Sequence, residues 1–114
     1  MTTDEAIAVF SSCSSEEKKV FVAHLMHELT VVARDSYEVG ADGLTNPRRV
    51  RKINEIQHRL SSFLRSLLRD DPRRYPDELI VRMVLEASED EDFRRQLAWA
   101  FESAHRFATA LGVG

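Results

Sequence analysis

The sequence predicts an all-α protein: an antiparallel bundle of four main helices plus a short N-terminal helix, forming a single domain over residues 1–114. Three observations predict it. Four glycines and three prolines are confined to a few places, leaving long uninterrupted stretches of the kind helices need. Within those stretches apolar residues recur at i, i+3, i+4 and i+7, the spacing of one buried helical face. The boundaries carry helix-start and helix-stop chemistry. Hydrophobic residues make up 43% and charged residues 31%, which suits an ordinary globular domain with a modest core.

The first helix is short, over about residues 3–11, with Thr3 as its cap and Ile7 and Phe10 on one side. The serine-rich stretch 11–15 interrupts it. Ser14 and Glu17 then form a capping box, in which each side chain satisfies the other's free backbone N–H. The second helix runs from there to about Tyr37, with Phe21, Val22, Leu25, Met26, Leu29, Val32 and Ala33 on its buried face. Gly40 and Asp42-Gly43 mark a loop. Asn46-Pro47 restarts the helix, since proline at the first helical position has no N–H to leave unsatisfied.

The third helix reaches about Arg69 with the stripe Val50, Ile53, Ile56, Leu60, Phe63, Leu64 and Leu67, and Asp70-Asp71-Pro72 ends it. Tyr75-Pro76 precedes a shorter helix with Leu79, Ile80, Met83 and Val84 on one side. Residues 88–90 form a turn and cap. The last helix carries Phe93, Leu97, Ala100, Phe101, Ala104, Phe107, Ala108 and Leu111, with Gly112 as its C-terminal cap. Helices two, three and five each span about 30–36 Å, and matched lengths favour antiparallel packing.

Composition bounds the environment. The longest purely apolar runs are about five residues, such as 97–101, where a membrane span needs about 20. The N-terminus is acidic where a signal peptide would be basic, and one cysteine excludes an internal disulfide framework. A cytoplasmic protein with no membrane partner is expected. The 13 arginines against 3 lysines point to a bacterial source.

Two Glu-x-x-His motifs, Glu55/His58 and Glu102/His105, lie on separate long helices. Di-iron carboxylate bundles use this spacing, with further glutamates for which Glu28 and Glu86 are candidates. At about 100° per residue, however, Glu55 and His58 point roughly 150° from the apolar stripe of their helix. Glu102 points roughly 160° away and His105 roughly 100°. No metal or other cofactor is therefore expected within the monomer. A site between subunits and a metal-dependent bundle enzyme remain as alternatives. His24 and His27 match neither His-Glu-x-x-His nor His-x-x-Glu-His and fall opposite the Leu25–Leu29 face. Residues 35–46 place a glycine where a calcium loop does but put Tyr37, Val39 and Asn46 at ligand positions. Cys13 precedes a helix N-terminus, but Glu16 and Glu17 oppose thiolate formation. No catalytic residues are expected.

Charge is segregated. Residues 1–47 carry a net −5, residues 48–74 a net +6, and residues 75–114 a net −4. Arg48, Arg49, Arg51 and Lys52 crowd the first turn of the third helix, where the backbone already carries partial positive charge. Two explanations stand: pairing with the acidic run 89–92, or an anion or partner site. The best helix-turn-helix candidate, helices four and five, would present Glu91-Asp92 to DNA, against its phosphates. Val20 and Val31 on the outward face of helix two, and Trp99 roughly 140° off its stripe, form a second apolar surface. Either a homodimer interface or a helix buried on two sides within the monomer accounts for it. The leading expectation is a non-enzymatic protein-interaction or regulatory module, binding a protein partner or a second copy of itself. A nucleic-acid-associated factor using the basic 48–74 block is the alternative.

Overall fold

The computed structural model describes residues 1–37, 47–71 and 75–112. The glycine turn at 40–43, the Asn46 cap, and Arg73 and Arg74 of the basic segment lie outside them. Among the described residues there are five helices: α1 (Thr3–Ser12), α2 (Ser15–Tyr37), α3 (Pro47–Leu68), α4 (Asp77–Leu85) and α5 (Glu91–Ala110). Among the described residues there is no strand, and no helix is long and apolar enough to cross a membrane.

Local chemistry accounts for the boundaries. Thr2, not Thr3, caps α1: its Oγ1 accepts from the Glu5 N–H at 3.1 Å, so the helix starts one residue earlier than a Thr3 cap would allow. Asp4 and Glu5 then sit in the first turn, where carboxylates complement the helix dipole. The capping box is present: the Ser14 N–H donates to Glu17 Oε1 at 3.3 Å, and the Glu17 N–H donates to Ser14 Oγ at 3.1 Å. Pro47 is the first residue of α3.

At the other end of α3 the Asp70 N–H donates to the Leu67 carbonyl at 3.2 Å and the Asp71 N–H to the Ser66 carbonyl at 2.9 Å. This paired closure places Asp70 at φ 55°, left-handed backbone that normally selects glycine. Gly112 plays that part after α5, at φ 65°.

α2 is the central helix and packs against both α5 and α3. Phe21 near its start meets Phe101 and His105 in the second half of α5, at 4.9 and 6.0 Å, while Val31 near its end lies beside Asp92 and Trp99, so the two helices are antiparallel. α3 and α5 start at the same end of the bundle, where Arg49 reaches Asp90, so α3 is antiparallel to α2 as well. α1 and α4 have 10 and 9 residues and pack on each other, covering the remaining side. Phe10 from α1, Phe21 from α2 and Phe63 from α3 meet in the core, with ring centroids 5.1 and 6.0 Å from Phe10.

Three details depart from the expected stripes. In α4, Ile80, Val81 and Val84 are buried, Met83 is half-buried and Leu79 is 44% exposed. This helix is covered from two directions, by α1 and by α5, so its buried arc turns toward Val81. Phe107 is also outside the core, 42% exposed, because it reaches across the α2–α5 seam rather than down into it. Leu111 is exposed because it already belongs to the C-cap of α5.

Candidate functional site

Helical geometry puts Val31 beside the buried Val32 of α2 but rotated outward, and puts Trp99 on the far side of α5 from Leu97, Ala100 and Ala104. Because α2 and α5 are antiparallel, these outward residues converge. Val31, Val32 and Trp99 form the apolar part of a groove of about 250 Å³, rimmed by Asp35, Asp92, Arg95 and Gln96. Trp99 is 47% exposed. Val20 does not join this groove. It lies on the same face of α2 about 16 Å away along the axis, half-buried against the core.

Between Val20 and Val31 the seam is polar and aromatic. His24 stacks on Phe107 with ring centroids 4.1 Å apart and planes 10° from parallel, and its Nε2 lies 3.1 Å from Glu28 Oε1. The sequence places His24 on open surface; Phe107 leaning over from α5 half-buries it instead. His27 is exposed.

The four basic residues at the start of α3 meet different fates. Arg49 folds toward α5: its Nη2 lies 2.6 Å from Asp90 Oδ2 and 3.8 Å from Asp92 Oδ2, and its guanidinium lies 5.3 Å from the Phe93 ring centroid. Asp90 does two jobs with its two oxygens. Oδ1 caps α5 by accepting from the Asp92 and Phe93 N–H groups, while Oδ2 accepts from Arg49. The Arg49 hydrogen bond, followed by the Phe93 amide, holds the Asp90 carboxyl below the usual carboxylate range. Lys52 lies 3.6 Å from Glu55 on its own helix. Arg48 and Arg51 are exposed and pair with no carboxylate among the described residues. Arg48, Arg49, Lys52, Ser88, Glu89, Asp90 and Phe93 line one open depression of about 400 Å³.

The residues with catalytic or ligating chemistry are dispersed. Glu55 and His58 are exposed on α3. Glu102 and His105 on α5 are half-buried; Glu102 lies 3.7 Å from the Met1 amino group, and His105 leans on Phe21. Glu86 is tied to Arg82 at 2.9 Å. Among the described residues, no three His, Cys, Asp or Glu side chains gather as they would around a metal ion. The Cys13 thiol is half-buried, 3.3 Å from the Val9 carbonyl. Burial foremost, then the Glu17 carboxylate, raises its pKa, which favours the un-nucleophilic thiol form.

One charged contact between helices escapes a reading by stripes. Lys18 is buried, with Nζ 2.8 Å from Asp77 Oδ2 at the start of α4 and 5.7 Å from the Phe10 ring centroid. The available signal was its position: Lys18 precedes Phe21, Val22 and Leu25 by three, four and seven residues, on the buried face itself.

No protein-family model, no curated protein and no solved structure matches the chain.

Proposed function

We propose that this protein is a non-enzymatic interaction module that pairs with a second copy of itself through the α2–α5 seam. The observation that carries the reading is the Val31–Trp99 groove. A half-exposed tryptophan beside two valines is the composition of an interface anchor, since buried aromatics dominate interface energetics. Its rim carries both signs of charge, Asp35 and Asp92 against Arg95. A two-fold interface brings the same patch together from both sides, so it requires self-complementary charge of this kind. The molecule measures 45 × 25 × 23 Å, and its long face has room for the roughly 800 Å² per partner of a standard interface. The dispersal of Cys13, His24, His58 and His105 over different elements supports a binding role over a catalytic one.

Sedimentation velocity tests the reading. The wild-type chain is expected to be dimeric at tens of micromolar, and Val31→Arg or Trp99→Ala should weaken association at least tenfold. Both side chains are at or near the surface, so the thermal unfolding midpoint should stay within a few degrees. A wild-type monomer at 200 µM, or dimers unaffected by either substitution, overturns it.

A further inference from the structure

The α2–α5 seam leaves the opposite charge extreme of the molecule unexplained. α3 carries Arg48, Arg49, Arg51, Lys52, Arg59 and Arg65 against a single acid, Glu55; just beyond its end Arg69 is followed by Asp70 and Asp71. Among the described residues, only Arg49 of this set is drawn into the body of the protein by carboxylates. Glu55 is itself 3.6 Å from Lys52, which offsets the one negative charge on the helix. Arg48, Arg51, Arg59 and Arg69 are exposed and pair with no carboxylate among the described residues, and Arg65 reaches only the Ser61 hydroxyl at 3.3 Å. Core packing through Ile53, Ile56, Leu60, Phe63 and Leu67 holds the helix rigid and turns this face outward.

We infer that the outward face of α3 is a docking ridge for the phosphate backbone of double-stranded DNA. At 100° per residue, Arg48, Arg51, Arg59 and Arg65 fall within an arc of about 120°, and they span about 26 Å along the axis. Arg65 lies on one flank of the arc, and Arg59 with Lys52 on the other. A convex helical ridge with cations on both shoulders suits the wide major groove of B-form DNA, about 12 Å across and bordered by two phosphate strands. The deep, narrow major groove of an RNA duplex does not admit it.

The face lacks what other anionic partners need. Within the arc from Arg65 to Arg59 there is no aromatic or aliphatic anchor for a protein interface, Leu68, 64% exposed, lying about 60° outside it. Nor has the arc an apolar side chain to enter a lipid surface. Arginine rather than lysine supplies the exposed charge, and its planar fork suits bidentate phosphate contacts. The net charge of −3 does not oppose this at short range, because charges beyond about 10 Å are largely screened at 0.1 M salt. The ridge works in a monomer or a dimer, since the α2–α5 seam contributes nothing to it.

Fluorescence anisotropy of a labelled 24-base-pair DNA duplex of mixed sequence, titrated with the full chain across 20–200 mM KCl, tests the ridge. Binding should be little affected by sequence, and the slope of log K against log salt should lie near −4, about 0.9 per phosphate contacted. Arg51→Gln with Arg65→Gln should weaken binding at least tenfold at low salt and flatten that slope by nearly two. Arg48→Gln with Arg69→Gln should act similarly, whereas Arg106→Gln, on α5 and outside both surfaces, should not. All of these side chains are exposed, and circular dichroism checks that each variant stays folded. No binding at 20 mM salt, an equal loss in Arg106→Gln, or preference for an RNA duplex, polyglutamate or phosphatidylserine vesicles over DNA overturns it.

Discussion

Replacing Asp77 alone should destabilise the bundle far more than replacing both members of the Lys18–Asp77 pair. The ammonium and carboxylate are 2.8 Å apart, with side chains 10% and 20% exposed. Asp77→Asn leaves the Lys18 ammonium among Phe10 and the surrounding core with a neutral amide for company. Breaking a buried pair from one side costs 3–5 kcal/mol; the residual exposure of Asp77 lets water reach the site, so about 3 kcal/mol is expected. Lys18→Met keeps most of the stem volume and leaves a carboxylate in the first turn of α4, where the helix dipole favours it, so about 1–2 kcal/mol is expected. The double variant removes both charges and should cost about 1 kcal/mol. The coupling energy is then on the order of 3 kcal/mol. Urea unfolding of all four proteins at pH 7 measures it, provided the denaturant slope stays constant. If the two single effects add to within about 0.5 kcal/mol, the pair does not join α2 to α4 energetically and the reasoning fails.

Two further outcomes follow from the helix ends. Asp90 has a folded-state pKa below its unfolded value, so its contribution is present above the ordinary aspartate range near 4 and lost as pH falls through the folded value. Asp90→Asn keeps an oxygen for the α5 cap but no charge for Arg49, so its urea midpoint should fall less than the wild type's between pH 5 and pH 2.5; parallel pH profiles would contradict this. Asp70→Gly relieves left-handed backbone at the end of α3 and, after the added freedom of the unfolded chain, should stabilise by about 0.5 kcal/mol, with a drop in the unfolding midpoint as the opposing result.

The fold was legible where short-range chemistry decides it. The Ser14/Glu17 box, Pro47 at the start of α3, the Asp90 cap and the Gly112 stop all depend on residues within four positions of one another. The α3 stripe was equally readable, because one face of that helix is buried by its neighbours. α4 was not, since α1 and α5 cover it from two directions and no single periodicity records that. The candidate surfaces divide in the same way. Trp99 and Val31 stood out individually as off-stripe apolar residues, but that they share a groove while Val20 does not depends on the antiparallel register of α2 and α5. The excess of arginine on α3 was visible in the sequence. That Arg49 alone turns inward to Asp90, while Arg48 and Arg51 stay outside, depends on how closely the first turns of α3 and α5 approach.

The packing of α1 on α4 sets the order in which the protein can be completed during synthesis. α1 is made before its partner α4, so Phe10 can meet Phe21 of α2 early but lacks the rest of its cover until Phe63 and then α4 have been made. At 5–20 residues per second, the roughly 70 residues between Phe10 and the core of α4 take about 4–14 s to add. For that interval the face of α1 that α4 will cover stays open. Asp4 and Glu5 in its first turn and the serines behind it flank that face with polar side chains in the meantime.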